Sequence, residues 1–297
     1  MSYLGKVLII LLVPISLYGQ LEPDKFNYYS LENRLIFADY LYKTNDFLRA
    51  ASEYQELLNR IHTDKERDSL KYKLALSYYQ ANRPEISLSY SIKLYDKADP
   101  NSEYVILHLL NYLKLKNYGV LLSEYKQLKE NKSPLLSYPK IQLLGGMGYF
   151  YQKEWNNSAD YFNNLIESNK KKNTLVSNME IEFYNLSVEG RNLKKRSPLF
   201  SGILSAIIPG LGRLYVGRTG DAVTSFLTIG FLGIQSYNAF SRNGINSFYG
   251  WVAGITTSFI YLGNVYGSVT AAHIYNYEQE QRILNATKIP YDQILFD

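Results

Sequence analysis

A pattern that returns four times between residues 30 and 195 constrains this chain more than any other feature. One segment reads Phe37-Ala38-x-x-Leu41, then Asn45-Asp46-Phe47-x-x-Ala50-x-x-x-Tyr54. The next has Leu74-Ala75-x-x-Tyr78 and Asn82-x-Pro84-x-x-Ser87. The third has Leu109-x-x-Tyr112 and Asn117-Tyr118-x-x-Leu121-x-x-x-Tyr125, and the fourth has Gly146-x-x-Tyr149 and Trp155-x-x-Ser158-x-x-x-Phe162. The equivalent positions 38, 75, 109 and 146 lie 37, 34 and 37 residues apart. Apolar residues three and four apart mark one face of a helix. Asn45, Asn82 and Asn117 stand where a turn between two helices needs a turn-tolerant residue. Repeats of this length build arrays of helical hairpins, each burying its apolar face against the next.

The unit resembles the tetratricopeptide repeat, a 34-residue helix–turn–helix. On that resemblance the repeat core consists of Ala38, Ala50, Tyr54, Ala75, Tyr78, Tyr112, Tyr118, Tyr125, Gly146, Tyr149, Trp155 and Phe162. The small residues Ala38, Ala75 and Gly146 let paired helices approach, and Tyr78, Tyr112 and Tyr149 fill the wedge beside them. Departures exist: Leu109 replaces the small residue, Pro84 replaces the turn aromatic, and Ser91 stands where an aromatic is expected. Residues 175–195 read as a last helix capping the array. Such a solenoid binds along its concave face, so a protein or peptide partner is expected there.

The N-terminus reads as an export signal. Lys6 precedes the apolar run Val7 to Ile15, and the charge-free stretch ends at Leu21, short of the roughly 20 apolar residues a spanning helix requires. Cleavage after Gly19 would leave Gln20 as the mature N-terminus. The chain has no Cys and three His, at 62, 108 and 273. That excludes disulfides and thiol nucleophiles, and leaves no metal-ligand spacing. No cofactor is expected. The net charge of +5 is a weak electrostatic footprint for nucleic acid. Residues 199–297 carry five basic and five acidic groups, so the whole excess lies in residues 1–198.

The last third is different material. Ser197 to Gly212, Ala222 to Ser241 and Asn243 to Tyr277 are free of charge. Leu199–Ile208 reads as a short apolar helix stopped by Pro209-Gly210. Ala222–Phe240 and Phe248–Ala272 are each long enough, as helices, to span a bilayer of about 30 Å. Gly250 with Gly254, and Gly263 with Gly267, are small-xxx-small steps that bring helix backbones together in membranes, with Asn264 and Tyr266 beside them. Phe248, Tyr249 and Trp251 suit an interface. The stretch Pro209-Gly210-Leu211-Gly212-Arg213-Leu214-Tyr215-Val216-Gly217 lacks the spacing of a dinucleotide-binding turn or a phosphate-binding loop. It reads as a tight corner between helices.

Ser197 to Asn276 resembles a bacterial membrane domain of unknown function whose pattern is a Pro-Gly-x-Gly-x-x-Tyr-x-Gly turn and a hydrophobic hairpin ending in Gly-Asn-x-Tyr-Gly. Here these are Pro209, Gly210, Gly212, Tyr215 and Gly217, then Gly263 to Gly267. The turn is also similar to that of the two-transmembrane domain family. The resemblance implies membrane association and carries over no catalytic residue.

The expected architecture is therefore all-α: signal peptide 1–19, tetratricopeptide-like solenoid with capping helix 20–196, Gly-rich hydrophobic helical hairpin domain 197–277, and C-terminal tail 278–297. A membrane hairpin with a re-entrant or interfacial first helix is expected, which leaves Arg213 and Arg218 on the side of the repeats, against the preference of positive residues for the cytoplasm. The alternative is a first span across Ser197 to Gly212, which puts that loop in the cytoplasm. The expected role is a non-enzymatic interaction or scaffold protein of the bacterial cell envelope. Its repeats would be periplasmic and its hydrophobic domain held in the inner membrane. The alternative is a subunit of a transport or lipid-handling assembly, for which Asp221 and His273 are the ionisable candidates.

Overall fold

The computed structural model describes residues 29–95, 101–168, 175–289 and 291–296. The proposed signal segment lies outside them. All regular structure among the described residues is helical. The chain resolves into two compact units, one up to Ile141 and one from Gln142 to Phe296.

In the first unit α1 (Leu31–Lys43) pairs with α2 (Phe47–Arg60), α3 (Asp64–Gln80) with α4 (Pro84–Tyr95), and α5 (Ser102–Lys114) with α6 (Tyr118–Glu130). Ala38, Ala50 and Ala75 are fully buried, and Tyr54, Tyr112 and Tyr125 nearly so. Tyr78 and Tyr118 are half-buried. Leu74, Leu94, Leu107, Leu109, Leu110 and Tyr79 fill the centre with no exposed surface. Leu109 is thus accommodated where a small residue was expected. Ser91 faces Nδ1 of His108, a ring that stacks on Tyr95.

The turns carry the repeat more faithfully than the side chains do. Asn45, Asn82, Lys116 and Lys153 have positive φ, at 64, 58, 57 and 61°. The next N–H in each case bonds back to the carbonyl five residues earlier: Asp46 to Leu41, Arg83 to Tyr78, Asn117 to Tyr112 and Glu154 to Tyr149. This is the hydrogen-bonded left-handed ending of a helix. Its positions recur at intervals of 37, 34 and 37. In the third hairpin the left-handed residue is Lys116, not Asn117. It falls four residues after Tyr112, as Asn82 falls four after Tyr78, so position rather than residue type decides.

The second unit begins with the fourth hairpin, completed by α7 (Pro139–Tyr151) and α8 (Trp155–Ser168), and continues with α9 (Leu175–Arg191) against α8. A Cβ on Gly146 would lie 2.4 Å from the Phe162 ring, and one on Gly190 2.5 Å from Trp155. Both glycines are therefore required by close helix approach. Phe162 stacks on Phe183, and Tyr149 contacts Tyr161.

α10 (Pro198–Ile207), α11 (Leu211–Tyr215), α12 (Thr219–Asn243) and α13 (Phe248–Leu284) follow, with a short α14 (Tyr291–Phe296). Ser197 caps α10 by accepting from the Phe200 N–H, with Pro198 in the first turn, a position that suits proline. α10 and α11 double back: Ser197 N–H donates to the Tyr215 hydroxyl at 3.4 Å. The expected boundary after Arg196 lies inside this unit. Glu280 takes both Lys153 and Lys195, and Arg282 reaches Glu189. Residues 278–284, expected as tail, continue α13, and Ile283, Ile294 and Leu295 are buried.

One expectation is corrected. Among the described residues no helix is long and apolar enough to cross a membrane. α12 has 25 residues and α13 has 37, so length suffices. Ser225, Ser236, Gly250 and Asn264 on their packed faces, with half-buried Gln235 and exposed Asn238, dilute them.

Candidate functional site

Two surfaces stand out. The first is a groove of about 410 Å³ across the leading helices of the three N-terminal hairpins. α1 contributes Asp39, Tyr42 and Lys43, α3 contributes Tyr72, Lys73 and Leu76, and α5 contributes Glu103. Asp39 is its electrostatic centre. It accepts from Lys73 Nζ at 2.7 and 2.8 Å and from the Tyr54 hydroxyl at 2.5 Å. Burial raises the Tyr54 phenol well above its ordinary pKa, and the bond to Asp39 adds to this. Burial, then Glu103, does the same for Tyr72. Both phenols are therefore neutral donors at any physiological pH. Tyr72 and Tyr104 pack with ring centroids 5.1 Å apart. The groove offers amphipathic rings and both signs of charge, with no nucleophile held against a base. A second hollow on the outside of α1 and α2 contains Arg34, whose guanidinium bonds both Glu53 and Glu56, so its charges are mutually satisfied.

The second surface is the bundle of α10 to α13, whose interior mixes serines and Asn264 with small apolar residues such as Ala222, Ala271 and Ala272. The single Ser201 hydroxyl proton is shared between the Gly212 and Ser268 carbonyls, at 2.9 and 2.8 Å from Oγ. Ser205 Oγ lies 2.6 Å from Ser268 Oγ and accepts from the Gly212 N–H at 2.9 Å. Ser268 donates to the Asn264 carbonyl, Asn264 Nδ2 reaches the Ser205 carbonyl, and the Tyr261 hydroxyl bonds the Ala206 carbonyl. Ser201, Ser205 and Ser268 are fully buried.

The turn residues serve this packing. A Cβ on Gly212 would lie 1.9 Å from the Ser201 carbonyl oxygen. Gly210 has φ +86°, and its Cβ would lie 2.2 Å from the Ala222 carbonyl oxygen. Gly217 has φ +84° in open space, and Pro209 ends α10. Of the candidate packing residues, Gly250 meets the Phe240 ring, Gly254 meets Ser236, Gly267 meets the Arg213 guanidinium, and Asn264 is buried. Gly263 and Tyr266 are not packing residues. Nothing lies within 4 Å of a Cβ on Gly263, and Tyr266 is 75% exposed. The helical phase that turns Asn264 and Ser268 inward turns these two outward.

The outside of the bundle is apolar. Leu199, Ile203, Ile207, Val223, Phe226, Leu227, Phe231, Ile234, Ile255, Phe259 and Leu262 are all exposed, with Trp251, Tyr249 and Phe248 exposed where α13 begins. Sequence reasoning located these segments but missed the inversion. The signal was available in Ser and Gly recurring at helical spacing within apolar runs. Asp221 is paired with Arg218 at 2.7 Å, and His273 is exposed, so neither faces the interior. Among the described residues no group of three His, Asp or Glu is placed to hold a metal ion.

No family model matches the chain, and no curated protein or solved structure is detectably similar to it.

Proposed function

We propose that this chain is a non-enzymatic interaction protein of the bacterial cell envelope. Its tetratricopeptide-like hairpins bind a protein or peptide, and its α10–α13 bundle seats it in a membrane. The observation that carries this reading is the inverted bundle, with buried Ser201, Ser205 and Ser268 inside and exposed Leu, Ile and Phe outside. A soluble monomer rarely shows so continuous an apolar surface. In lipid the arrangement is favourable, because apolar side chains need no burial and small residues with shared hydrogen bonds hold the helices together. The bundle enters as a group, with its buried serine hydroxyls bonded within it, rather than through single apolar helices. The groove around Asp39 supports the binding role, since tyrosines give large contact area at low entropic cost. The export reading rests on residues 1–19.

Alkaline carbonate washing of membranes from cells making the full chain tests the anchor. Retention in the pellet is expected. Release, with a stoichiometric protein bound over the apolar surface, overturns it. A photo-crosslinking residue at Lys43 tests the groove. A discrete adduct that disappears in Tyr72→Ala is expected, and an adduct insensitive to that change argues against binding there.

A further inference from the structure

The border of the apolar surface carries a cluster of cations, and its charges are not all compensated. Around it, Lys195 and Lys153 share Glu280, Arg282 pairs with Glu189, Arg191 with Asp160, and Arg218 with Asp221. Lys194 and Arg196 have no carboxylate partner among the described residues. Arg196 is nonetheless held firmly in place. Its N–H donates to Asn276 Oδ1 at 2.7 Å, and Asn276 Nδ2 donates to its carbonyl at 2.8 Å. Its guanidinium lies over the Tyr215 ring at 4.8 Å and near the Tyr275 ring at 5.8 Å. A cation over an aromatic face keeps its in-plane N–H donors for an acceptor. Two and three residues on, Pro198 is half-buried while Leu199 is 74% exposed, with Phe200 half out beside it. Charge and apolar surface thus meet within one turn of helix.

We propose that Lys194 and Arg196 bind the phosphate of an anionic lipid headgroup, with Tyr215 and Tyr275 as the shelf that orients the guanidinium. This rests on the bundle being lipid-facing. A phosphate oxyanion matches the guanidinium fork, and headgroup phosphates lie just outside the hydrocarbon, where this rim would sit.

The test is flotation of the full chain with vesicles of phosphatidylcholine alone, or of phosphatidylcholine with phosphatidylglycerol. Juxtamembrane cations contribute about fivefold in partition each on anionic surfaces. Phosphatidylglycerol should therefore raise partition of the wild type, and high salt should reduce that gain. The Lys194→Ala, Arg196→Ala double variant should lose the gain while its partition into phosphatidylcholine stays unchanged and its melt, lowered only slightly by loss of the ring contact, shows it still folded. Arg196→Lys should recover only part of it. Equal binding to both vesicles, or a double variant that keeps the gain, overturns the proposal and leaves the membrane reading standing. Failure to float with either vesicle overturns both. Inorganic phosphate should reduce the gain by competition at matched ionic strength, and no reduction beyond that given by chloride overturns the assignment to the headgroup phosphate.

Discussion

The hairpins of residues 31–130 and the bundle of α10–α13 are both helix packed on helix, yet they bury opposite chemistry. The hairpins enclose Leu74, Leu107, Leu110, Tyr54 and Tyr79. Each such side chain contributes about 1.5–3 kcal/mol when removed from water. The bundle encloses Ser201, Ser205, Asn264, Ser268 and Gly212 among alanines, and leaves most of its Leu, Ile and Phe outside, with Ile229 and Ile283 as buried exceptions. There each hydrogen bond is worth only about 0.5–1.5 kcal/mol net. Similar secondary structure thus encloses two different interiors, and the proposed membrane seating of the bundle rests on that contrast.

Reciprocal substitutions break this contrast most severely. Leu107→Ser should cost about 4 kcal/mol, from a cavity and an unmatched hydroxyl. Ser268→Leu adds hydrophobicity, yet it should cost about as much. It removes the bonds to Ser205 and Asn264 and overfills a site where α10 lies against α13. Denaturant titration of both variants, the second in detergent micelles, measures this. A stabilised Ser268→Leu would show that the bundle is an ordinary apolar core.

The hairpins contain a buried polar cluster of their own around His108. This histidine is fully buried against Tyr95 and Tyr112, beside Ser91, with Asn111 bonded to Ser87. Burial lowers its pKa to about 4, so the native protein holds it neutral while the unfolded chain binds a proton below about 6.5. Stability should be unaffected above that pH and fall as pH drops from 6.5 towards 4, by about 3 kcal/mol in all. His108→Phe should flatten that part of the profile in pH-dependent melts. An unchanged slope would assign the acid sensitivity elsewhere.

Next in size is the outer face. Phe231→Ser and Phe259→Ser alter side chains that are 62 and 72% exposed. Folded stability in micelles should move by less than about 0.5 kcal/mol. Partition into vesicles should fall about tenfold for each ring withdrawn from lipid. A large loss of stability with unchanged partition would mean that these rings pack against protein.

Much of the hairpin array was legible because its signal is positional. Spacings of 37, 34 and 37 in the sequence recur in the left-handed turn residues. Residue identity misled only at Asn117, where the chain turns one position earlier. In the bundle, the Pro209–Gly217 corner and the Gly250–Gly254 step were legible because glycine has few other reasons to stand there. The outward-facing Gly263 and Tyr266 were not. A Gly-x-x-x-Gly match states a spacing and not which way the helix faces. The continuation of α13 to Leu284 was also hidden, because its last turns are held by Glu280 and Arg282 reaching residues about a hundred positions away.

The smallest effect separates the two kinds of glycine on α13. Gly250 sits where a Cβ would come within 2.8 Å of the Phe240 ring, whereas Gly263 has open space. Both are interior to the same helix, so Ala gives each the same gain in helix propensity, about 0.5–1 kcal/mol. At Gly263 nothing opposes that gain, and the bundle should become more stable by about that amount. At Gly250 the ring must shift and Phe240 loses its edge-on contact with Trp251, so the net change should be unfavourable. Thermal melts of the two variants in one detergent compare them directly. Equal shifts would show that α13 faces its neighbours with a different side from the one that Asn264 and Ser268 mark.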